Sequence, residues 1–311
     1  MVNLQDYFEE IGEGPILFCP NPGNAGDSAI ALGTFQLLDQ VRRSCKVVRW
    51  DDDFDSTGKL LVYGGGGNLG SPKYEEARHF IEQHHLRADR MVILPHTVRG
   101  NEDLLHQIGE NVDLFCRERV SYDWVQKHVA SSNVHLADDM AFRIDVEELL
   151  DQYGRSKSEL VGRIGNGVWL SLLERIPLRE AKTTDFQING RLGITALYQL
   201  MRCTVFQGRL LSAMRTDAER TSQNGTLGNV DVSRVFEYGV HPFSHAREAT
   251  VCLLAYLDQF DRIVTNRLHI GILAALLQKE VDFYPNNYFK NKAVYEFSMQ
   301  GRFPHVHWHG N

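Results

Sequence analysis

Short apolar runs separated by amphipathic stretches organise most of this chain. Pro15–Cys19, Lys46–Trp50, Leu60–Tyr63, Met91–Leu94, Val112–Cys116 and Val134–Leu136 read as strands. Asp27–Leu38, Lys73–His85 and a segment near Tyr122–Val129 carry helical spacing between them. The rhythm breaks over residues 151–205, which open polar at Asp151–Glu159 and include Thr183–Asn189, where neither period is present. It resumes as strand Arg209–Ala213, helix His245–Tyr256, strand Arg262–Val264, helix Leu268–Leu277, strand Val281–Tyr284 and helix Asn291–Met299. Strands alternating with helices at this spacing predict βαβ units and parallel sheets. The predicted class is α/β, with two Rossmann-like lobes facing a cleft. Residues 1–150 form one lobe, 206–311 the other, and 151–205 a connecting, variable region.

Composition narrows the partners. At 311 residues, 43% hydrophobic and 23% charged, the chain is an ordinary globular one. A net charge of −7 argues against nucleic-acid binding, and any anionic ligand must meet locally clustered arginines. The five cysteines (Cys19, Cys45, Cys116, Cys203, Cys252) are scattered and include no C-x-x-C pair. That pattern fits a reducing cytoplasm better than a disulfide framework or a structural zinc site. The acidic first residues are not those of a signal peptide, and no apolar run approaches the ~18 residues of a membrane span. The expectation is a cytoplasmic protein with no transmembrane segment, leaving peripheral contact at the inner membrane face open.

The most informative segment is Arg262–Leu277, where a short strand ends at Thr265-Asn266 and a helix opens on Arg267, Leu268 and His269. Free N–H groups and the helix dipole favour an anion there, beside a fixed cation and an imidazole. Two glycine-rich turns also follow strands. The first is Asn21–Ile30, with Asn24 and a helix cap at Asp27 or Ser28. The second is Gly64–Gly70, containing Gly65, Gly66, Gly67 and Asn68. Neither is a G-x-G-x-x-G or Walker loop, but both lie at strand C-termini, where open α/β sheets bind ligands. Pro95-His96-Thr97-Val98-Arg99 follows another strand, and Arg215 stands just beyond Arg209–Ala213. Spacing alone favours mutual pairing of Arg117 with Glu118. Asp138-Asp139, without histidine partners, is weak as a metal motif. His305, His307 and His309 would align in an extended segment, but a mobile tail is the preferred reading. No hydrolase elbow, kinase or zinc-enzyme signature is present, and no metal is signalled.

Taken in order, these pieces resemble the polysaccharide pyruvyl transferase family. The matching stretches are Gly23–Ile30, Gly64–Gly70, Leu94–Thr97, Arg117–Tyr122, Asp138–Phe142, Arg215–Glu219 and Asn266–His269. The chain departs from the family at His96, where Gln is frequent, and at Glu118, where Asp is frequent. The resemblance implies a fold similar to GT-B glycosyltransferases and transfer of a pyruvyl group from phosphoenolpyruvate to a sugar, forming a ketal. It implies phosphoenolpyruvate as donor substrate, no cofactor and no metal. The acceptor would be a sugar of an exopolysaccharide or cell-surface glycan, presented as an oligosaccharide or lipid-linked repeat unit. Arg267, Leu268 and His269 would contact the donor, with Arg215 as a further partner. The catalytic candidates are His269, Arg215 and Arg267. The substrate-binding candidates are Leu268, Asn24, Asp27, Gly65, Gly66, Gly67, Asn68 and His96. The donor's two anionic groups suit arginine, whose planar fork binds oxyanions bidentately. A GT-B nucleotide-sugar glycosyltransferase is the alternative, although Glu280 and Glu296 are poor candidates for its ribose contact. A non-catalytic phosphate- or sugar-binding protein is a third reading.

Overall fold

The computed structural model describes residues 1–12, 14–70, 74–151, 209–221 and 229–310. The predicted connecting region at 151–205 thus lies, but for its first residue, outside the described residues. Seven strands form the first sheet: β1 (Ile16–Cys19), β2 (Cys45–Val47), β3 (Leu60–Tyr63), β4 (Gly66–Leu69), β5 (Arg90–Val98), β6 (Val112–Cys116) and β7 (Asn133–Leu136). Their order is β2-β1-β3-β5-β6-β7, with β4 paired to the far end of β5. The second sheet comprises β8 (Leu210–Ser212), β9 (Arg262–Thr265), β10 (Glu280–Phe283) and β11 (Val306–Trp308), in the order β11-β10-β9-β8. Every pairing is parallel. The strands therefore present all their C-terminal ends on one side of each sheet.

The central strands are apolar on both faces, as a sheet covered by helices on each side requires. Leu61, Val62 and Tyr63 of β3 and Met91, Val92 and Ile93 of β5 are all fully buried. Helices α1 (Leu4–Glu10), α2 (Ala25–Gln40), α3 (Glu76–His84), α4 (Glu102–Gln107) and α5 (Arg119–His128) accompany the first sheet. α6 (Val232–Val235), α7 (Phe243–Leu257), α8 (Leu268–Leu276) and α9 (Lys290–Val294), which runs on into a π turn at Tyr295–Met299, accompany the second.

α2 joins the two halves. It packs on α7, on α8 and on the short 3-10 turn Met140–Arg143. One apolar cluster runs from Phe18 and Val62 of the first sheet through Ile30 and Leu37 to Leu254, Ile263 and Val281 of the second. Each large side chain buried there contributes ~1.5–3 kcal/mol. Small residues let α2 approach its neighbours closely: a Cβ on Gly33 would collide with the carbonyl oxygen of Met140.

Three sequence readings change. The glycine run Gly64–Gly70 is not a free loop, because Gly66–Leu69 adds a strand beside β5. The strand predicted to end at Leu94 continues through Pro95, His96 and Thr97, with a register shift between Ile93 and His96. A proline there has no N–H to offer the ladder, which suits an irregular position. The C-terminal histidines are not a mobile tail. Val306–Trp308 is the edge strand of the second sheet, and the three imidazoles face separate partners: Ala275 O, Glu280 and Asp282. Sequence reading missed α1, α4 and α6, all short.

Gly33→Ala should cost ~1–3 kcal/mol, because the colliding atom is backbone and cannot rotate away. Urea unfolding checks this, with Gly58→Ala as the comparison at a site open to solvent but strained by its positive φ of 64°.

Candidate active site

The C-terminal ends of β1, β6, β8 and β9, together with the middle of β4, surround a pocket of about 250 Å³. From the first half come Asn24, Asp27, Gly67, Asn68 and Arg117. From the second come Arg215, Asp217, Glu219, Arg267, Leu268, His269 and Lys290. Most of the predicted site residues therefore meet in one place. His96, Gly65 and Gly66 stand behind its wall.

The first glycine turn is built around a capping box. Asn24, not Asp27 or Ser28, is the N-cap of α2; its Oδ1 accepts from Gly26 N at 2.9 Å, and Asp27 Oδ2 accepts from Asn24 N at 2.9 Å. Asp27 Oδ1 also accepts from Asn21 Nδ2 at 3.1 Å. Burial raises the Asp27 pKa, and the nearby His269, the Asn21 and Asn24 donors and Arg117 offset this only in part. The turn must be glycine at position 26, because a Cβ there would run into the ring of His269. That close approach seats an imidazole from α8 against the N-terminus of α2.

A polar relay backs the second glycine segment. His96 is fully buried, with Nδ1 2.9 Å from Leu94 O and Nε2 3.0 Å from Asn68 Oδ1. Asn68 Nδ2 donates to the Tyr63 hydroxyl at 3.1 Å, and that hydroxyl donates to Asn21 Oδ1 at 3.2 Å. Burial pulls the His96 pKa down to about 3. A neutral ring has one N–H to give, so its tautomer sets how the Asn68 amide faces. His96 thus positions Asn68 and does not line the pocket. Packing also explains three of the four glycines. A Cβ at Gly64 would lie 2.7 Å from Asn21 N, at Gly65 2.8 Å from Pro95 O, and at Gly66 2.7 Å from Asn21 Nδ2. Only at Gly67 is the crowding atom a cation, Arg117 Nη2 at 3.1 Å.

Arg117 does not pair with Glu118. Its Nη1 donates to Asp139 Oδ2 at 2.7 Å and its Nε to Thr97 Oγ1 at 2.9 Å, with Arg117 and Asp139 both essentially inaccessible. Glu118 turns away, caps α5 and bonds both the backbone N–H and the hydroxyl of Ser121. His269 Nε2 lies 3.4 Å from the same Asp139 oxygen and makes no hydrogen bond among the described residues. Burial would raise the Asp139 pKa, but His269, Arg117 and the Ala141 N–H hold it well below the usual carboxylate range. Asp138 points elsewhere, to Ser298 and Arg302. Among the described residues no cluster of three or more His, Cys, Asp or Glu could hold a metal.

The second-half arginines are already engaged. Arg267, at the N-cap of α8, donates through Nε and Nη2 to the two Asp231 oxygens at 2.9 and 2.5 Å, and Nη2 also reaches Asp217 at 2.8 Å. Arg215 grips Asp217 through Nε at 2.8 Å and Nη2 at 3.1 Å, and Glu219 through Nη1 at 2.5 Å. Burial opposes the charge on Asp217, but Arg215 and Arg267 outweigh it and lower its pKa. Lys290, which sequence reading missed, donates to Glu219 at 2.9 Å. Burial takes its pKa down to about 8, with Glu219 pulling upward and Arg215 and Arg117 downward. A lysine in the first turn of a helix opposes the dipole, and that was the local signal available.

The comparisons agree with this assembly of motifs. The model of the polysaccharide pyruvyl transferase family matches residues 24–281. A Bacillus subtilis (strain 168) protein named "Putative pyruvyl transferase EpsO" is 26% identical over 93% of this chain and 87% of its own. The crystal structure of KP1_0663 from Klebsiella pneumoniae subsp. pneumoniae NTUH-K2044, a protein of uncharacterized function, superposes with a TM-score of 0.71. It covers all of both chains at 26% identity. The family match and the named relative make this chain a transferase enzyme. The chain belongs to the polysaccharide pyruvyl transferase family. No helix among the described residues is long and apolar enough to cross a membrane.

Proton linkage at the site predicts an acid-sensitive fold. The folded His96 pKa lies below the unfolded value of ~6.5, so the unfolded chain binds more protons in between. Stability present above that value falls as pH drops toward the folded value, by up to ~1.4 kcal/mol per pH unit. The depressed Asp139 adds a further loss below its unfolded value of ~3.9. Urea unfolding from pH 7 to 5 should show the first slope in the wild type and a flatter one in His96→Gln. Equal slopes would remove His96 as its source.

Proposed function

We propose that this protein transfers a pyruvyl group from phosphoenolpyruvate to a sugar of an exopolysaccharide or cell-surface glycan, forming a pyruvate ketal. The observation that carries this reading is the convergence of Arg267, Leu268, His269, Arg215 and Arg117 on one pocket between the two sheets. A small donor with a phosphate and a carboxylate needs several cations in a compact space, and the pocket supplies them. On this reading the two parallel sheets are the two halves of a GT-B-like arrangement.

The chemistry has four parts that balance. A proton is added to the methylene carbon of the donor, and a sugar hydroxyl attacks C2 and loses its own proton. The C–O bond to phosphate then breaks, and a second hydroxyl attacks the same carbon and releases a proton. The net change is one donor and two hydroxyls giving one ketal and inorganic phosphate. His269 holds a ring nitrogen without a hydrogen-bond partner among the described residues, 3.4 Å from Asp139. It is the group assigned to proton transfer. Asp27, whose pKa burial raises, is the second carboxyl placed for such traffic. Arg267, the α8 N-terminus and Arg215 stabilise charge on the departing phosphate. Asp217 and Asp231 hold both guanidinium groups in place before the donor arrives. No cofactor enters this scheme.

Calorimetry with phosphoenolpyruvate, UDP-galactose and UDP-glucose tests the donor. Phosphoenolpyruvate should bind the wild type and bind Arg267→Gln roughly 10- to 100-fold more weakly. Nucleotide-sugar binding in place of phosphoenolpyruvate binding would transfer the site to a glycosyltransferase. In a coupled phosphate-release assay with a glycan acceptor, His269→Asn should lower kcat by ~10²–10⁴ while donor affinity changes little. An unchanged kcat would take proton transfer away from His269.

A further inference from the structure

Most carboxylates around the pocket already hold a donor. Asp217 takes Arg215 and Arg267, Glu219 takes Arg215 and Lys290, and Asp27 takes Asn21 and the Asn24 N–H. Glu76 is different. It lines the same pocket from the first turn of α3, and its Oε2 is buried with no hydrogen-bond partner among the described residues. The helix N-terminus accounts for a carboxylate at this position, but not for an oxygen left without a donor. Ala77, Phe80 and Ile81 anchor α3 in the core, so the carboxylate is presented from a fixed element. Two residues earlier, Tyr74 also lines the pocket, with 42% of its surface exposed. Burial raises its pKa, and Glu219 and Asp217 add to the rise against Arg215, so the phenol lies within electrostatic reach of the opposite wall. Among the described pocket-lining residues of the first half, Arg117 is the one cation.

We propose that Tyr74 and Glu76 form the subsite for the acceptor, an uncharged sugar ring, with the Tyr74 ring as its platform and Glu76 Oε2 accepting from a hydroxyl. A pyranose calls for both kinds of contact. Its C–H face packs on an aromatic ring, and its hydroxyls donate to fixed acceptors. An acceptor oxygen buried without a donor is unfavourable, and a sugar hydroxyl relieves it. A carboxylate in this place accepts from hydroxyls but repels a second carboxylate. The subsite therefore favours neutral sugars over acidic ones. Both residues bind substrate in this account, and neither takes part in bond making. The inference rests on the reading of this pocket as one that modifies a glycan.

NMR titration would follow the methyl β-glycosides of galactose, glucose and mannose, with methyl β-glucuronide as the acidic probe. The proteins are the wild type, Glu76→Ala, Glu76→Gln, Tyr74→Ala and Tyr74→Phe, and thermal unfolding first shows each to be folded. Calorimetry would follow phosphoenolpyruvate on the same proteins. The wild type should bind at least one neutral glycoside, and bind the glucuronide more weakly. Glu76→Ala and Tyr74→Ala should bind that glycoside at least ~10-fold more weakly, with phosphoenolpyruvate affinity little changed. Tyr74→Phe should bind it as the wild type does, and Glu76→Gln should narrow the gap between it and the glucuronide. Glycoside binding lost in the two alanine variants, in a wild type that ignores phosphoenolpyruvate, would keep this subsite and discard the donor reading. Glycoside binding unaltered in both, in a wild type that binds phosphoenolpyruvate, would discard the subsite and keep the donor reading. A wild type that prefers the glucuronide, or binds no glycoside, would overturn the assignment.

Discussion

The buried pair of Arg117 and Asp139 is the constraint on which the site depends. The two residues come from the ends of neighbouring strands, β6 and β7, and lie 2.7 Å apart with almost no exposure. Burying two charges is costly, and a pair like this is tolerated only when its remaining hydrogen-bonding capacity is used. Thr97 and the Ala141 N–H supply that on the first half. The His269 ring from the second half lies 3.4 Å from Asp139. Deleting either member would leave the other charge stranded, at ~3–5 kcal/mol. The pair thus lies against the His269 imidazole, which reaches across from the second half, and holds Arg117 at the wall of the pocket.

Around that pair, the architecture repeats one device. Parallel strands deliver their C-terminal ends to a common rim, and carboxylates fix each cation there before any ligand binds. Asp231 and Asp217 hold Arg267, Asp217 and Glu219 hold Arg215, and Glu219 holds Lys290. A cation fixed in this way loses little rotamer freedom on binding, so more of its interaction is available to stabilise developing charge. The tight seat of α2 against α7, α8 and the Met140 turn fixes the two halves relative to each other. Gly26 and Gly33 permit that seat by removing side chains where His269 and the Met140 carbonyl must pass.

The sequence made the α/β class, most strand positions and the Arg267–His269 junction legible, because period-two runs and strand-to-helix boundaries are local features. The family resemblance, carried by short ordered motifs, agrees with the match over residues 24–281. Pairings made through space were not legible. Arg117 and Glu118 are adjacent in the chain, yet each chooses a different partner, because Glu118 caps α5 while Arg117 runs inward to Asp139. His96 read as a ligand contact since it follows a strand; the strand in fact continues beneath it, so its ring is spent on Leu94 and Asn68. The C-terminal histidines lacked a visible acid, and Glu280 and Asp282 arrive only through β10 pairing. Lys290 escaped notice because nothing in one dimension places it opposite Gly67.

The most direct test of the account is an NMR assay with phosphoenolpyruvate labelled at C2 with ¹³C and a glycan acceptor. The account predicts that the labelled carbon appears as a quaternary ketal carbon bonded to two sugar oxygens, with one inorganic phosphate released per ketal. Labelled carbon appearing only as free pyruvate, or a glycosidic bond formed from a nucleotide sugar while the label stays in phosphoenolpyruvate, would contradict it.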